Sequence, residues 1–205
     1  MKVFLRILSL IILFFAFGLP LYGQVTPPDT LYNQMLNPSG GLQTSSHFFQ
    51  NGFPTTYSCN GADDFVCTQQ WKITEVVALG GFYNGSQFPQ TFHISIYADD
   101  NPNGDLPGTE IYSYSNIVQV NGNKFTIPIT EDITLQPGHY WISAYASVAS
   151  GYATWGWKPA TGPHDYEAVW ENPGNGFGTG YTSWTPITTV FSGTSETDYS
   201  FALLG

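Results

Sequence analysis

The sharpest chemical pattern in the chain is Asp99-Asp100-Asn101-Pro102-Asn103-Gly104-Asp105-Leu106-Pro107-Gly108-Thr109-Glu110. Counted from Asp99, the side-chain oxygens of Asp99, Asn101, Asn103 and Asp105 fall at positions 1, 3, 5 and 7, with Gly104 at 6 and Glu110 at 12. Alternating oxygens closed by a bidentate glutamate are the spacing of a calcium loop. Against this, Pro102 and Pro107 restrict the backbone, and Asp, Asn, Gly and Pro are also the residues of a polar hairpin connection. Calcium held by Asp99, Asn101, Asn103, Asp105 and Glu110 is one expectation, and a plain turn is the other. Asp63 and Asp64 form a second acidic pair. On a strand, one of two adjacent residues faces inward, where a carboxylate needs a partner. A metal and a hydrogen-bonded structural role are both open for them.

The aromatic residues suggest binding chemistry. Trp155 and Trp157 are two apart, so on a strand both rings point to one face. Trp141, Trp170 and Trp184 lie in similarly short segments. A row of indole and phenol rings can stack on the C–H faces of sugars, with Asp165, Tyr166, Glu167, Asn172 and Asn175 as polar contacts at its rim. Six tryptophans are also what a sandwich core consumes, so some must be buried.

Catalysis has less support. His47, His93, His139 and His164 are scattered, and no two have metal-ligand spacing. No nucleophile elbow, zinc-protease helix or phosphate loop occurs. Glu167 and Glu171 could share a strand face, but four extended residues hold them roughly 13 Å apart. A retaining glycosidase needs its two carboxyl groups about 5 Å apart. The expectation is a non-enzyme.

These residues must be positioned by strands. Phe92, Ile94, Ile96 and Ala98 alternate with His93, Ser95, Tyr97 and Asp99, and Phe125, Ile127 and Ile129 with Thr126, Pro128 and Thr130. Tyr140, Ile142, Ala144 and Ala146 alternate with Trp141, Ser143, Tyr145 and Ser147. Further strands are expected at 62–68, 71–83, 110–120, 152–158, 167–171 and 199–204. Asn-Gly and Pro-Gly pairs punctuate them. About nine short strands and no sustained helical period predict an all-β, antiparallel, jelly-roll-like sandwich over residues 31–205. The Gly-, Asn- and Pro-rich stretch 162–183 reads as a long functional or mobile loop.

Lys2 and Arg6, the apolar run 7–17 and the small residues before Gln24 read as a secretory signal over residues 1–23. A flexible lead-in over 24–30 follows. Two of the five cations leave with the signal, so Lys72, Lys124 and Lys158 face 15 acidic side chains. That balance argues against nucleic acid and anionic lipid as partners. The apolar run is also too short to span a bilayer. A secreted or extracellular location follows, with the periplasm as an alternative. There Cys59 and Cys67 are expected to pair as a disulfide. No cysteine follows the signal directly, so a lipid anchor is not expected.

Several motifs occur in a familiar order. They are Leu31-Tyr32-Asn33-Gln34 with Asn37-Pro38-Ser39-Gly40, then Ser45-Ser46-His47-Phe48, then Ala62-Asp63-Asp64-Phe65. Ile94-Ser95-Ile96-Tyr97-Ala98-Asp99 with Leu106-Pro107-Gly108, Pro137-Gly138-His139-Tyr140-Trp141-Ile142-Ser143 and Asp198-Tyr199-Ser200-Phe201-Ala202-Leu203-Leu204-Gly205 complete the series. The pattern resembles the β-sandwich module of secreted bacterial proteins that often carry a C-terminal anchoring or sorting segment. The resemblance implies an extracellular, surface-associated role and no shared catalytic residues. With no sorting tail after Gly205, free secretion is expected. The combined expectation is a secreted binding or adhesion module for a glycan or a cell-surface component. A structural matrix protein is the alternative, and a small glycoside hydrolase a poorer one.

Overall fold

A computed structural model describes residues 27–35, 38, 44–49, 54–83, 91–148, 154–161 and 165–205. The expected signal sequence, residues 24–26 of the lead-in and His164 lie outside them. The chain is an all-β sandwich of two packed antiparallel sheets. One sheet is built around β5 (Trp71–Phe82). This strand pairs along one stretch with β9 (Lys124–Leu135), which β8 (Gln119–Asn121) flanks. It also pairs with β16 (Phe201–Leu204), backed by β1 (Thr30–Asn33). Its last residues pair with β11 (Trp155–Trp157), backed by β2 (Thr44–Ser45).

The opposing sheet runs β14 (Thr185–Pro186), β13 (Val169–Glu171), β4 (Asn60–Cys67), β10 (Gly138–Val148), β6 (Thr91–Ala98), β7 (Glu110–Asn116). A short β3 (His47–Phe49) joins β10 in parallel. A minor ribbon pairs β12 (Pro159–Ala160) with β15 (Asp198–Tyr199), and the single helical turn α1 spans Ile187–Val190.

Period-two alternation divides the second sheet into two faces. Phe92, Ile94 and Ile96 of β6 and Ile142, Ala144 and Ala146 of β10 enter the central core. Trp141, next to Ile142 on β10, lies on the outer face in a smaller cluster with Ala62 and Val169. The central core is strongly aromatic. Trp155 meets Phe92 edge-on at 4.7 Å, and Trp157 stacks on Tyr199 at 4.8 Å. Gly80 makes this packing possible, since a Cβ there would sit 2.3 Å from Trp155 Cζ2. Edge-to-face and offset-stacked contacts of this kind add about 0.5–1.5 kcal/mol each beyond the area they bury.

There are more strands than the nine expected. The additional ones, among them β1, β2, β3, β12 and β14, are two to four residues long, too short for alternation to register. The strand expected over 110–120 divides after Asn116, whose Oδ1 accepts a hydrogen bond from the Ile117 amide. The segment at 162–183 is partly built structure. Trp170 anchors it in the core, and Gly176 N–H donates to the Thr56 carbonyl.

His47, in β3, is fully buried, and burial lowers its pKa to about 4. The unfolded chain, with a histidine pKa of about 6.5, therefore binds the proton first. The stability contributed by the neutral ring is complete above that unfolded value. It is lost as pH falls toward the folded one, and about 2 kcal/mol is gone by pH 5. Buried Asp63, with a raised pKa, works in the opposite direction. The isolating measurement compares parent with His47→Gln by urea unfolding at pH 7 and pH 5. The parent should lose more stability than the variant, and equal losses would remove His47 as the cause.

Candidate functional site

The pleat of β4 sends its adjacent carboxylates to opposite faces. Asp63 points inward and is fully buried. Its Oδ2 accepts hydrogen bonds from Gln34 Nε2 at 2.7 Å and from the Tyr199 amide at 2.6 Å, and its Oδ1 from the Asp64 amide at 3.0 Å. Burial, and next the charge of Asp198, hold its pKa well above the usual carboxylate range. Hydrogen bonding is thus the role of Asp63.

Asp64 points outward, yet only 3% of it is exposed. It lies opposite Trp141 in the β4–β10 register, and His139 stands two residues before that tryptophan on the same face. Asp64 Oδ2 is 2.6 Å from His139 Nε2, and Asp64 Oδ1 accepts the Tyr166 amide at 3.2 Å. On the other side of the ring, His139 Nδ1 lies 2.8 Å from Asp99 Oδ2. Asp99 Oδ1 accepts from Trp141 Nε1 at 3.2 Å. Asp165 completes the group: one donor atom each of Asp64, His139 and Asp165 lie within 4.8 Å of one another.

Electrostatics follow from this crowding. Burial lowers the His139 pKa, but hydrogen bonds to Asp64 and Asp99, with their charges, outweigh it and leave the imidazole above its ordinary value. The charge of Asp99, then burial, then Asp105, Asp64 and Asp165 raise the Tyr166 hydroxyl. Among the described residues, no lysine forms an ion pair with these carboxylates; Lys72 pairs with Asp132 on the other sheet.

Aromatic rings surround the group. Tyr166 lies 4.6 Å from the His139 ring and is nearly parallel to Trp141 at 6.0 Å. Tyr97 and Trp184, both half-buried, meet edge-on at 5.9 Å beside them. Farther along the same face His93 stacks on Tyr145 at 4.8 Å, with the buried serines Ser95 and Ser143 between the two aromatic groups in the β6–β10 register. Glu171 adds a carboxylate here. Burial raises its pKa, against a hydrogen bond from Asn60.

The expected aromatic row therefore has a different composition. Trp155 and Trp157 do share a face, but that face is the core and neither is exposed. Trp170 is 3% exposed and packs in the central core. Asn172 is also buried and structural, its Nδ2 donating to the Thr56 and Ser58 carbonyls and its Oδ1 accepting the Phe177 amide. These four residues cannot offer a surface to a ligand. Asp165 and Tyr166 do come together beside a histidine whose partners no sequence spacing announced, and Trp184 packs with Tyr97 in the adjoining aromatic cluster.

The loop over 99–110 is closed by its own hydrogen bonds. Asn101 Nδ2 donates to the Pro107 carbonyl, and its Oδ1 accepts the Asn103 amide. The Asp100 carboxylate, outside the alternating set, accepts both the amide and the hydroxyl of Thr109. Asp99 turns away toward His139, and Glu110 lies in β7 opposite Tyr97. Asp105 is exposed, and the left-handed φ of Gly104, 99°, makes the turn.

Comparison with protein-family models finds no match, and no curated protein matches the chain.

The expected Cys59–Cys67 disulfide is absent, and both thiols are reduced and buried. Cys59 immediately precedes β4 and Cys67 ends it, so eight extended residues hold their Cα atoms about 26 Å apart. A disulfide requires less than about 7 Å. Cys67 donates to the Gln69 carbonyl, and burial pushes the Cys59 thiol pKa up to about 12. Protein purified without reductant and then denatured should react with two equivalents of thiol reagent. An intact mass lighter by two hydrogens, with no reactive thiol, would contradict the strand.

Proposed function

We propose that the chain is a secreted, non-catalytic module that binds glycans outside the cell, using the outer face of the sheet that contains β4, β10 and β6. The observation that supports it is the half-buried Tyr97–Trp184 pair on that face, with Tyr166 alongside. The central core lies on the sheet's other side and takes none of these rings. They form an apolar patch rimmed by carboxylate and amide groups, the composition that stacks on sugar C–H faces while bonding to hydroxyls. No catalytic step is part of this function. Glu167 Oε1 accepts the Thr188 amide, Glu171 bonds to Asn60, and both His139 nitrogens already have carboxylate partners. A matrix protein without a small ligand is the second reading, favoured by the burial of Trp71, Trp141, Trp155, Trp157 and Trp170, each at most 4% exposed.

The test is a glycan array on the mature chain, followed by Trp184→Ala and Tyr97→Ala. Each variant should weaken binding of the best glycan about tenfold or more, as loss of a central aromatic contact does. Melting temperature should change little. Tryptophan quenching by acrylamide should be confined to Trp184 and suppressed by the bound glycan. A blank array, or binding that survives both variants, favours the matrix reading.

A further inference from the structure

The geometry points to a divalent transition-metal site of the zinc class on the outer face, with Asp64, His139 and Asp165 as ligands and Asp99 as the residue that orients the histidine. It is separate from the glycan reading, and either can fail alone.

The imidazole is held in the manner of a metal ligand. Its Nδ1 faces a carboxylate, Asp99, whose other oxygen is fixed by the indole N–H of the fully buried Trp141. Metal-bound histidines almost always donate the far ring N–H to such a group, which sets the tautomer and the ring plane. The nitrogen left to bind is Nε2, and it points at Asp64. Asp64 is likewise oriented, because the Tyr166 amide holds its Oδ1 and leaves Oδ2 toward the histidine. Asp165 precedes Tyr166, so the backbone segment that fixes Asp64 also brings in the third ligand.

Distances allow the exchange of a proton for a metal. Ligand atoms about 2.1 Å from a tetrahedral ion lie roughly 3.4 Å from each other. Asp64 Oδ2 and His139 Nε2 are 2.6 Å apart, and all three donor atoms lie within 4.8 Å. Separating the first pair by less than about 1 Å, with a rotamer adjustment of the exposed Asp165, brings the three to that spacing. A fourth position would stay open to water or to a ligand oxygen.

The imidazole distinguishes the group from an ordinary acidic cluster, and so does its charge. Three carboxylates surround one imidazole, so even a protonated ring leaves the group net negative, and no described lysine pairs with it. Asp64 is only 3% exposed. A divalent ion neutralises that excess. A nitrogen ligand favours zinc or cobalt over calcium, magnesium and manganese, which prefer oxygen.

The experiment uses the mature chain, stripped with chelator and titrated calorimetrically with zinc chloride, without glycan. One zinc per chain and a raised melting temperature are expected, with cobalt giving visible d–d absorption at the same stoichiometry. Asp165→Asn, exposed and therefore compatible with folding, should weaken zinc at least tenfold, as should His139→Gln. Asp99→Asn should weaken it 10- to 100-fold, roughly the usual cost of losing such an orienting group. Cys59→Ser should leave the zinc affinity unchanged, excluding a site at Cys59 and His47, whose Sγ and Nδ1 lie 3.7 Å apart. Three results would overturn the assignment: no zinc binding, meaning that His139 is only a bridge between carboxylates; zinc binding indifferent to Asp165→Asn; or preference for calcium over zinc.

Discussion

A carboxyl group fully removed from water must be satisfied from within, and Asp63 imposes that requirement on two distant parts of the chain and on its own strand. Gln34 reaches it from the segment after β1, the Tyr199 amide from β15, and the Asp64 amide from its own strand. Removing one partner of a buried polar group costs more than the bond itself contributes, because the group left behind is still desolvated. Closure of the N-terminal and C-terminal strands over the sandwich is therefore coupled to β4. Tyr32 extends the arrangement by donating to Gln34 Oε1, while its ring packs on Phe65 and Phe201.

The neighbouring Asp64 is the other half of the same constraint. Its side chain cannot enter the core, because the pleat gives the inward position to Asp63, so it emerges on the outer face beside His139. The two faces of one strand thus carry two kinds of polar chemistry. Inside, bonds from distant segments hold the fold closed. Outside, a partly exposed network of carboxylates and imidazole is framed by Tyr97, Trp141, Tyr166 and Trp184. The long polar loops have a matching division of labour. Asn172 ties one loop to the turn at Thr55–Tyr57, whereas Asp99 and Asp165, from two different loops, converge on the histidine.

Long strands were legible from sequence because apolar alternation sustained over eight or more residues fits a half-buried strand and not a helix, as in β5, β6, β9 and β10. The short strands were not, since they are held by pairing with distant partners rather than by their own pattern. The same limit governs the site. Spacing puts Trp155 and Trp157 on one face, but which face depends on Gly80, whose missing side chain admits an indole against β5. Spacing likewise cannot place His139 beside Asp64, 75 residues earlier, because that contact is a matter of register between β10 and β4. The cysteines show the converse. An expected export signal suggests a bridge, and the extended geometry of the residues between them forbids it.

The position of β16 has a consequence for how the chain reaches this state. Lying between β1 and β5, it is the only described partner of β1, and it occupies a stretch of β5 that would otherwise be an open edge. Neither pairing can form until Phe201–Leu204 are present, so the first described strand waits for a partner far along the sequence. Such non-local pairing is slow to nucleate, and it leaves unpaired strand edges exposed meanwhile. For a polypeptide made from its N-terminus, this arrangement defers closure of the sandwich until residues 201–204 have been made and makes β16 the latch.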